Sequence, residues 1–95
     1  MDYRKTAQEI YAHVGKKENI ISAAHCATRL RLVIADNDKA DKEYVENIDG
    51  VKGVFFAQGQ MQIILGTGVV NTVYDEFIQI AGVSESSKED LKKVA

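Results

Sequence analysis

The stretch His25-Cys26-Ala27-Thr28-Arg29-Leu30-Arg31 gathers the chain's one thiol, two guanidiniums, a hydroxyl and an imidazole into seven residues. A thiol reacts as its thiolate, and cationic neighbours lower its pKa from roughly 8.5 toward neutrality. Arg29 and Arg31 supply that charge, and His25 stands next to Cys26 as a further possible modulator. Arginine adds geometry, because its planar fork can bond two phosphate oxygens at once. Thr28 offers a hydroxyl donor, and backbone N–H groups at an open bend can add more, as in anion-binding nests. The chain turns acidic soon afterwards, at Asp36, Asp38, Asp41, Glu43, Glu46 and Asp49. A local basic spot on an acidic chain suits one small dianion better than a polyanion. The chemistry these residue types allow is a reactive Cys26 thiolate beside a site for one small dianion, with Thr28, Arg29 and Arg31 as candidate donors.

Other chemistries of cysteine fit less well. A zinc site needs about four ligands, and His13, His25 and Cys26 are the only nitrogen or sulfur candidates. A thioredoxin-like centre needs a second cysteine. A papain-like nucleophile needs a distant histidine base, for which only His13 remains. A cysteine phosphatase loop places five residues between cysteine and arginine and runs into a helix. Here four residues separate Cys26 from Arg31, and a strand follows. The bland alternative is a buried, inert thiol beside two arginines that merely face water.

Composition limits what can surround this segment. Ninety-five residues, 45% apolar and 27% charged, fit one soluble domain with one core. No window approaches the roughly 18–20 apolar residues of a membrane span, and no signal-peptide pattern opens the chain. A lone cysteine cannot form an internal disulfide, so a cytosolic protein is expected. A net charge of −2 provides no basic field for nucleic acid or an anionic membrane.

The elements that must hold the segment follow from periodicity. Tyr3, Ala7, Ile10, Tyr11 and Val14 recur at helical spacing, with Asp2 as N-cap and Gly15 at the stop. Lys16 to Asn19 read as a polar connection. Ile20-Ile21 and Leu30 to Ile34 read as strands, with Ala24 to Thr28 as the bend between them and Cys26 near its tip. Alternation puts Leu30, Leu32 and Ile34 on the core side and Arg29, Arg31 and Val33 on the other.

Asp36-Asn37-Asp38 is a turn with capping chemistry. A short helix should follow, with Ala40, Tyr44, Val45 and Ile48 inward. Val54 to Ala57 and Met61 to Leu65, split by Gln58-Gly59-Gln60, predict a second hairpin. Thr67 is the expected cap of a last helix whose stripe is Val70, Val73, Tyr74, Phe77, Ile78 and Ala81, with Gly82 at its end. Residues 84–95 read as a linker or frayed tail after a domain of residues 1–83. Both strand pairs are joined too tightly for parallel crossovers. The expected fold is α+β, a two-layer sandwich of four antiparallel strands with three helices on one face, in the order α-β-β-α-β-β-α.

Cys26-Ala27-Thr28-Arg29-Leu30-Arg31 also resembles the signature of the enzyme IIB domains of sugar phosphotransferase permeases, in the glucose, sucrose and β-glucoside superfamily. The likeness extends through Gly15 to Ile20, Gly50-Val51-Lys52-Gly53-Val54, Gly59-Gln60 and Ile64-Leu65-Gly66, covering roughly residues 2 to 82. His25-Cys26-Ala27-Thr28 together with Asp49 to Phe56 is most similar to the disaccharide branch, sucrose first and trehalose second.

The resemblance implies a kinase-type transferase. A phosphohistidine on a IIA partner would pass its phosphoryl group to Cys26. A membrane-embedded IIC partner would then present a sugar hydroxyl to receive it. It implies no cofactor and no metal, Thr28, Arg29 and Arg31 around the phosphoryl group, and a cytoplasmic domain tethered to the inner face of the bacterial membrane. A regulatory module that reports sugar supply through the same phosphocysteine stays open as the alternative.

Overall fold

The computed structural model describes residues 2–57 and 59–82; the expected tail, 84–95, lies outside the described residues. Helix α1 spans Tyr3–His13 and starts where Asp2 accepts a hydrogen bond from the Lys5 N–H at 3.1 Å. Its stripe buries Ala7, Ile10 and Val14, with Thr6 beside them. Tyr3 stays exposed, so the core contact begins only at the helix's second turn.

The segment expected to be a polar connection is instead one helical turn, α2, Lys16–Asn19. The reason is Asn19, which is buried. Its amide donates to the carbonyls of Val14, at 2.8 Å, and Asp36, at 2.9 Å, and its oxygen accepts the Asp36 N–H at 2.8 Å. A tight turn is needed to return Asn19 beneath the end of α1. Gly15 permits it: its φ is +103°, and a Cβ there would lie 2.6 Å from Asn19 Cβ.

Strands β1, Ile20–His25, β2, Arg29–Ile34, β3, Gly53–Ala57, and β4, Gln60–Ile64, form one sheet in the order β1-β2-β4-β3. Every pairing is antiparallel. β1 runs further than its composition suggests, because Ala24 pairs with Arg31 and His25 with Leu30. The bend shrinks to Cys26-Ala27-Thr28. Backbone pairing on an edge strand does not require bulky apolar side chains, so small and polar residues continue it. A register shift between Ile20 and Ser22 turns Ile20 to the core and leaves Ile21 exposed.

A 3-10 turn at Asn37–Lys39, capped by Asp36, leads to helix α3, Lys42–Glu46, capped by Asp41. Val45 and Ile48 reach the core, but Tyr44 is exposed and stacks on the His13 ring at 3.6 Å. A five-residue helix presents too narrow a face to bury all the expected positions. Helix α4 spans Val69–Ala81 and buries Val70, Val73, Tyr74, Phe77 and Ala81, while Ile78 packs partly buried at the margin. Its N-cap is Gly68, without a side-chain cap bond, rather than Thr67. Gly66 and Gly68, both at positive φ, turn the chain from β4 into the helix. Gly82, at φ +69°, ends it.

Leu30, Leu32, Met61, Ile63 and Val54 face α1 and α4 and form the core. The opposite face, helix-free, carries Arg29, Arg31, Gln62 and Phe55. The result is the expected two-layer α+β sandwich, with the extra turn α2.

Candidate functional site

Cys26 lies at the turn between β1 and β2, partly exposed, and its N–H donates to the Arg29 carbonyl at 2.9 Å. Strand alternation through Ser22, Ala24 and Cys26 directs the thiol to the helix-free face, where the arginines lie. The turn is clamped from below: the Thr28 carbonyl accepts the N–H groups of Leu65, at 2.9 Å, and Gly66, at 3.1 Å. The end of β4 thus fixes the tip of the neighbouring hairpin.

The backbone N–H of Thr28 is the main cause of a lowered Cys26 pKa, opposed by partial burial and helped by the Arg29 N–H and the Arg31 side chain. Two amides and a guanidinium therefore favour the thiolate. The same donors suit the oxygens of a phosphoryl group carried on that sulfur. It is the backbone amide of Thr28 that bears on the thiol's ionisation, whereas its residue type suggested the hydroxyl.

The two arginines do not act alike. The Arg31 guanidinium helps to lower the Cys26 pKa, and its Nε is buried with no hydrogen-bond partner among the described residues. Arg29 extends the other way across the sheet. Its Nη1 donates to Gln62 Oε1 at 2.8 Å, and its guanidinium stands 5.9 Å from the Phe55 ring centroid. Among the described residues neither arginine has a carboxylate partner within salt-bridge distance. A partly desolvated cation without a counter-ion favours an incoming anion.

His25, the sequence neighbour of the thiol, pairs with Leu30 on the core side of the sheet, opposite the arginines. Its ring packs on Tyr74 of α4, 4.4 Å between centroids, on the helix side of the sheet. Its Nδ1 is 3.3 Å from the Cys26 carbonyl oxygen, within reach to donate to it. That placement fixes the hairpin from its buried side.

Gln62 and Phe55 escaped the reading of residue types. A polar residue between Met61 and Ile63, at an outward position of a strand, was the available signal. That it faces Arg31 across the ladder follows only from the pairing of β2 with β4.

A cleft of about 410 Å³ between α1 and α3 is lined by Asp2, Lys5, Glu9, Tyr44 and Asp49, among others, with none from the hairpin. Nor does any group of three His, Cys, Asp or Glu residues there stand ready to hold a metal ion. No helix of the described residues is long and apolar enough to cross a membrane.

Comparison with known proteins points in one direction. The family model for the phosphotransferase system, EIIB, matches residues 8–41. The sucrose-specific EIIBC component of Klebsiella pneumoniae is 57% identical over 95 residues, covering all of this chain and 21% of that protein. The trehalose-specific EIIBC component of Bacillus subtilis is 44% identical over 94 residues, 99% of this chain and 20% of that protein. The chain thus spans about a fifth of the length of the curated relatives it matches. Among solved structures, one domain of the phosphotransferase IIabc component from Clostridium difficile superposes with a TM-score of 0.82 at 49% identity, covering 90% of this chain and 87% of that one.

Proposed function

The chain belongs to the EIIB family of the phosphotransferase system, and from that premise we propose that Cys26 carries a phosphoryl group from a IIA phosphohistidine to a sugar. In the first step the Cys26 thiolate attacks phosphorus. The S–P bond forms, the N–P bond of the donor breaks, and the imidazole leaves. In the second step a sugar hydroxyl attacks the same phosphorus, the S–P bond breaks, and the thiolate is regenerated. The hydroxyl proton passes to a base of the acceptor's site or to water. Transfer through a loose transition state needs positioning and spread positive charge more than covalent help. The amides of Thr28 and Arg29 and the guanidinium of Arg31 are suited to that task.

The observation that carries this reading is a partly exposed thiol at a hairpin tip whose thiolate is favoured by the Thr28 and Arg29 amides and by Arg31. A phosphoryl group handed from one macromolecule to another needs an exposed nucleophile that two partners can approach in turn. A small-substrate enzyme would instead need a concave pocket at its nucleophile.

Residues 1–83 are then the carrier domain, and 84–95 lead toward a membrane IIC domain that presents the sugar. This arrangement keeps the carrier at the cytoplasmic face of the bacterial membrane. The sugar is a disaccharide, sucrose ahead of trehalose, as the names of the similar permeases suggest.

Intact-mass measurement after incubation with a phosphorylated IIA donor tests the proposal. One phosphate should appear on the wild type and none on Cys26→Ser, whose hydroxyl is barely ionised near neutral pH. A full adduct on the serine variant, or none on a folded wild type, refutes it.

A further inference from the structure

Arg29 and Arg31 leave the same face of β2, yet their guanidiniums part. Arg31 pairs with Ala24 of β1, two residues before the thiol whose pKa it helps to lower. Arg29 crosses β4 to Gln62 and reaches the Phe55 ring on β3, away from Cys26. Adjacent strands lie about 4.8 Å apart, so this path carries the charge of Arg29 well away from the sulfur.

Gln62 is the anchor. It is only 4% exposed although it stands on the helix-free face. Its Oε1 accepts from Arg29, and its Nε2 donates to Gln60 Oε1 at 3.3 Å, which orients the amide. An amide oxygen is a neutral acceptor. It fixes the guanidinium in one place but holds it less strongly than a carboxylate, and far less than a phosphoryl dianion. Phe55, half exposed, adds a weak cation–π seat that is likewise reversible.

We propose that Gln62 is a positioning residue that, with Phe55, holds the Arg29 guanidinium away from the unloaded thiol and releases it to the phosphoryl group once Cys26 is loaded. The inference rests on the phosphocysteine reading above and deepens it. Arg31 prepares the nucleophile, and Arg29 is held in reserve for the dianion. If both guanidiniums sat on the thiolate, its nucleophilicity would fall along with its pKa.

The sign of one measurement separates positioning from mere structure. Thiol ionisation is read from the pH dependence of alkylation of the full chain by iodoacetamide. The other groups near the thiol on this face are simple: β1 contributes Ser22 and Ala24, β4 the neutral Gln60 and Gln62, and β3 Phe55. Lys52 stands by Gly66 at the end of β4, and His25 faces α4. Freed by Gln62→Leu, Arg29 should swing toward the thiolate and lower the midpoint by about one pH unit. Phe55→Leu, at an exposed position that does not threaten folding, should lower it by less. Gln62→Glu should raise it, by pinning Arg29 and adding a negative charge.

A midpoint unchanged or raised in both Gln62→Leu and Phe55→Leu overturns the proposal, since loosening the hairpin would also raise it. In the wild type, loading from a phosphorylated IIA donor should shift the side-chain nitrogen resonances of Arg29, and in Gln62→Glu it should not. Equal shifts in both proteins overturn the release step. A wild type that takes no phosphate refutes the carrier reading and the release step with it, while alkylation still judges whether Gln62 holds Arg29.

Discussion

Cys26 and Arg29 serve each other through the backbone: the Cys26 N–H donates to the Arg29 carbonyl at 2.9 Å, and the Arg29 N–H in turn favours the Cys26 thiolate. The two residues that close the hairpin therefore also bear on the ionisation of its thiol. Charge alone does not account for the site, because the largest influence on the thiol is the Thr28 amide and not an arginine.

The pH profile of Cys26 follows. Its alkylation midpoint should lie below that of an ordinary thiol, because amides and a guanidinium favour the charged form. Arg31→Met should move the midpoint up, whereas Arg29→Met should not, since the Arg29 side chain is turned toward Gln62. For stability the sign is that of a depressed acid. The contribution is complete above the pKa of the unfolded thiol and is lost as pH falls through the folded value. Rates of alkylation between about pH 6 and 10 measure the midpoint directly.

The two transfer steps should respond differently to lysine. Arg31→Lys keeps the charge but loses the fork beside the sulfur, so both loading and discharge should slow. Arg29→Lys should load near the wild-type rate and discharge more slowly, on the order of 10²-fold if the fork aligns the phosphoryl group. Loading is followed with a phosphorylated IIA donor, and discharge with permease membranes and sugar. Equal slowing of both steps by Arg29→Lys would reduce that residue to a general phosphate binder.

Gly66 connects the hairpin tip to the start of α4. Its φ is +105°, and a Cβ there would meet only the end of the Lys52 side chain at 3.5 Å. Gly66→Ala should cost about 1–3 kcal/mol through backbone strain, and loading should slow as well, because the Gly66 N–H holds the Thr28 carbonyl. Gly59→Ala is the control. Its φ is +73° with nothing within 4 Å of the new Cβ, so stability should fall without a change in loading. Thermal melts and loading rates of the two variants check the contrast.

Asn19 is the buried polar pin of the fold. Asn19→Ala removes its three side-chain hydrogen bonds and leaves the Val14 and Asp36 groups unpartnered, a loss of about 2–4 kcal/mol. Asn19→Asp should be worse at neutral pH, because a carboxylate would face two carbonyl oxygens. Burial would raise that carboxyl's folded pKa, so its penalty appears as pH rises through the ordinary Asp value near 4 and shrinks again on acidification. Denaturant titrations at about pH 4 and 7 measure the difference.

What the residues determine by themselves is local. Helical spacing in α1 and α4, alternation in β2 and the glycine-bounded second hairpin are written in side-chain polarity, because each element buries one face at its own period. The Cys26 to Arg31 segment likewise marked the candidate site and the family, since its residue types and spacing survive without coordinates.

What only the tertiary structure decided concerns partners far apart in the chain. The pairing of β2 with β4 sets Gln62 against the arginine face, and Leu65 and Gly66 beneath Thr28. Period two turns His25 away from the thiol it adjoins. Asn19 looked like loop polarity until Asp36 came round to meet it. Tyr44 looked like core until a five-residue helix proved too short to bury it. Sequence pattern reports which side of an element avoids water, but hydrogen bonds between elements depend on register, and register is set by the packing of the whole sheet.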